Sequence, residues 1–530
     1  MKKNNSYWSD RANLRMASYH KDSDETINKI SNAYDKAMKD INEDINKIFF
    51  KFQSDSGLSI AETKELLNSK IPTKELESIR SKINGIEDKE LKRSLMAQIN
   101  ANAYKARMTR LEALKESIYI NTKLAADVEI NKSTKLYTDN IEKAYYTNLF
   151  DIQKGLGIGF NVAQMPLGTI QEILKNNWNN KHYSERVWGN SEVLAQKLEE
   201  VITSGLMSGK SSRRMAQELQ DMTDYGKSAA ERLVRTETTY VTNMAELESY
   251  KELGIDKYIF LATLDLRTSP MCREYDGKII EVFKGISGVN LPPLHPYCRS
   301  TTRAYFKNME RERLQRRARD PETGKTYTVH GDMNYQEWYD RFVVDKYGKD
   351  KTEVFEKMIK NKSSDRKQFN EFKEVLGKDS PKILKDFQDL KYNDIKEWEL
   401  IKDYVKSRES NMISVFSSFR DFKKYKNIID VEIIGVTTSD GIKIKSQSKH
   451  FVERVLGTSY DPDKERPRDG VEVEIIKDTL INPLKVKEER HKNSFKYIGE
   501  KVTITVNPDT GNLIQCNPTD SDLVRRLKNV

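Results

Sequence analysis

Three residues able to hold a soft metal, Cys272, His295 and Cys298, fall in one stretch from Leu233 to Thr302 of this 530-residue sequence. His-x-x-Cys is a workable ligand spacing, and thiolates with an imidazole suit zinc. The first half of such a site is incomplete, because Ser269 stands where a Cys-x-x-Cys would begin, and Asp265 is the candidate fourth ligand. Two other readings stand beside zinc: two buried thiols with a hydrogen-bonded histidine, and a Cys272–Cys298 disulfide. Three cysteines in so long a chain point to a reducing compartment, which weighs against the disulfide. In the same stretch Ala230, Leu233, Tyr240, Val241, Met244 and Leu247 make a helical apolar stripe that also carries Glu237. A carboxylate facing a core needs a cation, and Arg235, Arg267 and Arg299 are the candidates. A structural ion pair is the simpler reading of Glu237, since no second acid/base group is matched to it.

A second constellation lies near the C-terminus. His450 and Arg454 are four residues apart and share a helix face. In the strand that follows later, Thr503 and Thr505 alternate with Val502, Ile504 and Val506, and Gln515 alternates with Ile514 and Cys516. If the polar face of this sheet lies beside the helix, these groups surround a phosphate. Metal-free RNA cleavage needs such a set. A base takes the ribose 2′-hydroxyl proton, a cation stabilises the phosphorane, and an acid protonates the leaving oxygen. Histidine suits either proton role, and arginine matches phosphate oxygens with paired hydrogen bonds. On spacing alone, a surface His–Arg pair remains the simpler account.

The elements that must position these groups divide the chain into four segments. Residues 1–149 read as helices, from a start at Asp22 with Glu25 to a turn at Ser56-Gly57, then Lys74–Ile83, Asp88–Ser117 and Ala125–Tyr146. Residues 150–303 hold the cysteine-bearing centre, entered through the glycines of Phe150–Phe160, which read as a hinge. Residues 304–424 open on a basic run to Arg319, read as a solvated helix face before a DNA contact, and continue as a linker of helical hairpins. Residues 425–530 read as an α+β domain. Its strands are expected at Ile428–Val436, Ile442–Ile444, Leu484–Val486, Phe495–Ile498, Val502–Val506 and Leu513–Cys516, with helices at Lys449–Leu456 and Gly470–Leu480. The expected fold is multidomain: mostly α in the N-terminal and middle regions, with two small α+β domains.

Hydrophobic residues make up 37% and charged residues 32%, a balance that favours long solvated helices, and the net charge of +10 suggests nucleic-acid contact. The first residues lack the apolar region of a secretory signal, and no apolar run approaches the roughly 20 residues that span a bilayer. No membrane association is expected.

The central stretch resembles the head morphogenesis family of tailed phages, that of the phage Mu F protein. Arg235-Thr-Glu, Asn243, Asp265, Arg267-Thr, Cys272, Asp276-Gly and Pro292-Pro-Leu-His-Pro-Tyr-Cys-Arg-Ser carry the resemblance, which extends over roughly Phe150 to Arg303. It implies a minor head protein of the virion, bound to the portal protein and other capsid proteins and near the phage DNA. The tail resembles phage-carried toxin domains of the barnase–EndoU–colicin–RelE ribonuclease fold. Lys449-His-Phe-Val-Glu-Arg-Val, Ile481-Asn-Pro-Leu and Val502–Gln515 carry this second resemblance. It implies an RNA substrate, action in the host cytoplasm and an immunity protein as partner. It also implies roles: His450 as general base or acid, Arg454 and Lys449 as phosphate contacts, Thr505 and Gln515 as positioning groups, and His491 as a reserve proton donor. The alternative is a purely structural virion protein with an inert binding tail.

Overall fold

The structure is a computed structural model. It describes residues 5–53, 65, 67–71, 73–100, 109–157, 164–208, 212–307, 315–414, 416–448, 450–461, 466–489 and 493–528. Lys449, His491 and the turn expected at Ser56-Gly57 lie outside them. The chain forms two compact units, Met1–Gly348 and Lys349–Val530. It is mostly helical, with several small sheets.

The first unit is built on helices. α1 spans Asn5–Gln53, α2 Thr73–Asn84, α3 Lys89–Asn100, α4 Arg110–Leu156, α5 Leu167–Lys175, α6 Tyr183–Met207 and α7 Ser212–Glu252. Helix α1 therefore begins well before Asp22, which instead pairs with Lys143 on α4 at 2.5 Å. The early stripe was hidden because Ser9, Arg15 and Ser23 lie buried among Trp8, Ala12, Met16 and Tyr19. Thr109 starts α4 with a capping box: its hydroxyl accepts from Glu112 N, and Glu112 accepts from Thr109 N. The helix then runs through the first part of the expected hinge, Phe150–Leu156, to Gly157, whose φ of 71° closes it in the left-handed conformation; 158–160 lie outside the described residues. Gly155 lies inside this helix where only a glycine fits against Trp8; a Cβ there would stand 2.2 Å from the indole. One apolar core joins α1, α4, α6 and α7, so the N-terminal helices share their interior with the cysteine-bearing centre.

After α7 comes a three-stranded antiparallel sheet of order β2-β1-β3, formed by β1 Lys257–Leu261, β2 Ile279–Glu281 and β3 Thr301–Ala304. The short helix α8, Pro270–Tyr275, lies between β1 and β2. The described residues of the basic run are not helical, and 308–314 lie outside them. Gln315–Arg319 is strand β4, paired with β5, Thr326–His330. Helix α9, Tyr335–Tyr339, begins on a second capping box at Asn334, and its Trp338 is fully buried.

The second unit starts with helices α10 Lys349–Lys360, α11 Lys362–Leu376, α12 Leu384–Asn393, α13 Ile395–Glu409 and α14 Phe419–Ile428. Ile428–Val436 is not a strand: α14 passes into a π turn at Ile429–Ile433. Ile429 and Ile433 are buried while Val431 is 80% exposed, a spacing that fits a helical face and not an alternating one. Instead of a strand at Ile442–Ile444, β6 is Ser446–Gln447. Helix α15 (Phe451–Leu456), the ribbon β7 (Thr458–Asp461) with β8 (Arg466–Arg468), and helix α16 (Val473–Ile481) follow. The meander is β9 Lys485–Glu489, β10 Ser494–Ile498, β11 Val502–Asn507 and β12 Asn512–Pro518, in sheet order β6-β12-β11-β10-β9, with β6 parallel to β12. The terminal helix α17 is Ser521–Lys528. Phe369, Phe387, Trp398 and Tyr404 share one core with Phe451, Ile476, Tyr497, Ile504 and Cys516, so the expected linker is part of the tail's own interior.

Candidate functional site

The centre of the first unit is a clamp between α7 and the Pro292–Ser300 loop. Threonines of α7 face the loop: Thr239 Oγ1 donates to Cys298 O at 2.7 Å, and Thr236 Oγ1 accepts from Tyr297 N at 3.1 Å. Asp265 accepts from both guanidinium nitrogens of Arg299, at 2.6 and 2.8 Å. Burial works against this charge, yet Arg299 holds the carboxyl below its ordinary range. Asp265 therefore has its own partner and is not the fourth member of the cysteine cluster. Glu237 is buried, as its stripe demands, but its cation is Arg186 of α6 at 2.6 Å, joined by Trp178 Nε1 at 3.2 Å. Arg235 faces Asp24 of α1 and Glu231 instead. Burial pushes the Glu237 carboxyl up, opposed by Arg186.

The cluster itself is assembled. Cys272, on α8, places Sγ 3.3 Å from His295 Nε2 and 3.6 Å from Cys298 Sγ. The donor atoms of all three residues lie within 4.8 Å of one another, and both cysteines are free thiols. His295 Nδ1 sits 2.7 Å from Pro296 O; a proton there leaves Nε2 as the free lone pair toward the sulfurs. The Cys272 thiol, with His295, holds Cys298 well below its usual range, while the same pairing pushes Cys272 up. Hydrogen bonding to Cys298 raises His295. Ser269 does not point a sulfur at the site; its hydroxyl caps α8 by accepting from Cys272 N. His20, on α1, was not singled out by its spacing. Both its ring nitrogens are buried without a partner, and burial lowers its pKa to about 4 beside Arg235, Arg299 and Cys298.

Asp276, a motif residue, makes a second clamp. Its carboxylate accepts from Ala262 N at 2.7 Å, from Tyr335 N at 2.8 Å and from the buried guanidinium of Arg316 at 2.5 and 2.8 Å. Arg316 also donates to Met333 O and Ala262 O. The hairpin and α9 are thereby fixed to the sheet. A third buried network joins α1, α4 and α7, where Arg15 bridges Glu246 at 2.9 Å and Asp151 at 2.7 Å.

In the tail, His450 is the N-cap of α15 and is mostly exposed. Its Nδ1 lies 2.7 Å from the buried carboxylate of Glu453, which also accepts from Ser407 Oγ. Spacing alone did not reveal this carboxylate. It orients the imidazole so that Nε2 is the outward nitrogen. Thr505 stands opposite both Lys496 and Gln515, and Lys487 opposite Lys496, so Lys487, Lys496, Thr505 and Gln515 form one row across four strands. The neighbouring row, Val486, Tyr497, Ile504 and Cys516, faces the core that also receives Phe451, Val452 and Val455 of α15. Thr505 and Gln515 are therefore together on the sheet face away from that core. Among the described residues no hydrogen bond joins either of them to His450 or Arg454.

Residues 196–303 match the family model of Phage Mu protein F like protein. The matched segment covers about a fifth of the chain and contains the α7 clamp and the cysteine cluster. A curated relative, the NAD(+)–arginine ADP-ribosyltransferase EFV of Enterococcus faecalis (strain ATCC 700802 / V583), is 30% identical over 159 residues. That is 29% of this chain and 33% of the relative, so the chain spans about a third of the relative's length. No solved structure matches. The Mu F-like segment ends at β3, whereas the clamp at Asp276 draws on Arg316, Met333 and Tyr335 beyond it.

Proposed function

We propose that this chain is a minor head protein of a tailed phage, held at the portal and the capsid interior, with a ribonuclease effector as its tail. The observation that carries the first part is the Mu F-like match over 196–303, together with the use of its motif residues as clamps. Glu237, Asp265 and Asp276 each bind a cation or backbone amides inside the fold, which is what a building block requires. A long helical first unit supplies the surfaces for the portal protein and other capsid proteins. The test is isolation of assembled heads: the chain is expected to remain with the portal protein, and its absence from finished particles overturns the placement.

Zinc fits Cys272, His295 and Cys298. Arms of about 2.3 Å to sulfur in a tetrahedron put two sulfurs about 3.8 Å apart, close to the 3.6 Å observed between these thiols. The His295 orientation by Pro296 O is the arrangement a ligating imidazole needs. A bound ion would tie α8 to the Pro292–Ser300 loop and contribute to folding. Metal analysis of the purified chain is expected to find one zinc per molecule, lost in Cys298→Ser; equal metal in both proteins rules the site out.

For the tail, the reading rests on His450 with Glu453. The carboxylate fixes the ring, so Nε2 can remove the 2′-hydroxyl proton or return one to the leaving oxygen. Arg454 and Lys449 are assigned to the phosphate; Thr505 and Gln515, on the sheet face away from the core that α15 packs into, are given no part in it. Residues 349–530, which own their core, are the piece to assay on total RNA and tRNA. Cleavage is expected, with a loss of about a hundredfold or more in His450→Ala. No cleavage by the folded wild-type piece leaves a purely structural protein with an inert tail. Labelled NAD+ in the same assay checks the activity named for the enterococcal relative, which this reading does not give to the tail. An immunity protein, by the same reading, covers His450 during assembly.

A further inference from the structure

The β4–β5 ribbon has one unusual property: among its described strand residues the outward face is cationic and carries no carboxylate. On β4 the burial alternates, with Arg316 and Ala318 inward and Gln315, Arg317 and Arg319 outward. The register sets Gln315 opposite His330, Arg317 opposite Thr328 and Arg319 opposite Thr326, all three exposed. The ribbon is fixed in place, since Arg316 is locked to Asp276 and Arg319 N donates to Leu264 O at 2.9 Å. That bond brings the ribbon beside the Asp265–Arg267 turn. Arg267 is half exposed and Arg299 about a quarter exposed. Burial and the nearby guanidiniums of Arg299 and Arg319 all lower Arg267's affinity for its proton, so these cations crowd one another.

The described acids around this surface neutralise Arg299 and leave Arg317 and Arg319 without an ion pair. Asp265 gives both oxygens to Arg299 and leaves Arg267 a 3.5 Å contact. Asp320, next to Arg319, is held by Lys346, Tyr347 and Thr323. Asp10 feels Arg317 electrostatically but forms no described ion pair with it. Asp332 pairs with Arg303 at 3.8 Å. Among the described residues neither Arg317 nor Arg319 has a side-chain ion pair.

We propose that the outward face of the β4–β5 ribbon, with Arg317 and Arg319 and continued by Arg267, is a contact surface for the phosphate backbone of nucleic acid. Guanidiniums take phosphate oxygens with two parallel hydrogen bonds, and the threonine hydroxyls can donate to others. Outward residues on one strand are about 7 Å apart, which spreads the charge along a line. A two-stranded ribbon is also narrow enough to lie in a DNA major groove. An acidic protein partner fits less well, because the ribbon's outward face offers none of the apolar side chains that form an interface core. This surface lies in the first unit and stands independently of the ribonuclease reading.

The test uses the full-length chain and a labelled DNA duplex of about 25 base pairs and arbitrary sequence, titrated from about 50 to 200 mM KCl. Arg317→Glu with Arg319→Glu is expected to weaken binding at least about tenfold and to flatten the log–log salt slope by about two. Arg317→Gln with Arg319→Gln, the milder pair, should flatten the slope equally if the glutamates disturb folding. RNA cleavage by the tail should be unchanged in both. Lys485→Glu with Lys487→Glu, in the second unit, should leave duplex binding intact. The proposal falls if wild-type chain fails to bind at the lowest salt, if the folded glutamine pair binds with wild-type affinity and slope, or if the second-unit pair abolishes binding. It also falls if polyglutamate binds as tightly as the duplex and is lost in the same variants, which would assign the surface to an acidic polypeptide.

Discussion

Glu129 shows what a single buried acid does to this protein. It sits on α4, with Tyr34 Oη donating to it at 2.7 Å and no cation beside it. Burial raises its pKa from an ordinary 4.5 to about 7. Between these values the folded chain keeps a proton that the unfolded chain has released, so stability falls as pH rises from about 4.5 to 7 and then levels off. The total is about 3 kcal/mol. Glu129→Gln should remove that decline: urea unfolding of the first unit at pH 5 and pH 8 should differ less in the variant than in wild type. An identical pH dependence would mean that Glu129 reaches water. At the same scale, the sequence made it plain that Glu237 is buried and needs a cation, but not which one. Arg186 lies 51 positions upstream, and side-chain partners at such a distance follow from helix packing that periodicity does not encode. The Cys272–His295–Cys298 set could be picked out because three rare residue types share one short stretch and the fold brings them together; His450 was singled out by its helix motif, while Glu453, three residues on, was given no role.

Elements were read best where their period was clean. Strands β9 to β12 fall close to where alternation put them, and α16 follows its apolar spacing. Ile428–Val436 misled because β-branched residues score as strand, and only the helix-like burial of Ile429 and Ile433 overrides that preference. Arg303–Arg319 misled for the opposite reason: charge density looked like a solvated helix, while the informative signal was the odd-even burial of Arg316 and Ala318. The hairpin depends on one buried pair. In Asp276→Ala the Arg316 guanidinium, 2% exposed, keeps its charge and loses its anion. Leaving such a charge unpaired costs about 3–5 kcal/mol, so the first unit should unfold at clearly lower urea. A loss under about 1 kcal/mol would show that Arg316 finds water, which surface pairs do at little cost.

At the scale of the molecule, the expected border between a helical linker and an α+β tail runs through a core. Phe369, Phe387 and Trp398 pack in the same interior as Tyr497 and Ile504. Ser407 on α13 also holds Glu453, the residue that orients His450. A piece beginning at 425 should therefore be poorly folded, and one beginning at 349 should fold cooperatively. Circular dichroism and thermal melting of the two pieces will decide this, and equal melting of both would show that α10–α13 are dispensable. Sequence reading missed this union because helices and strands separated by more than a hundred residues announce no shared interior.

The placement of α1 sets a schedule for synthesis. Among the described residues Arg15 finds its carboxylates in Asp151 and Glu246, the latter 231 positions downstream. A ribosome adding roughly 5–20 residues per second needs about 10–50 s to cover that distance. Helix α4 offers α1 an apolar face before then, but the Arg15 charge stays incompletely paired until α7 is made. Folding of the first unit is therefore completed late, when Glu246 closes the network that Asp151 begins.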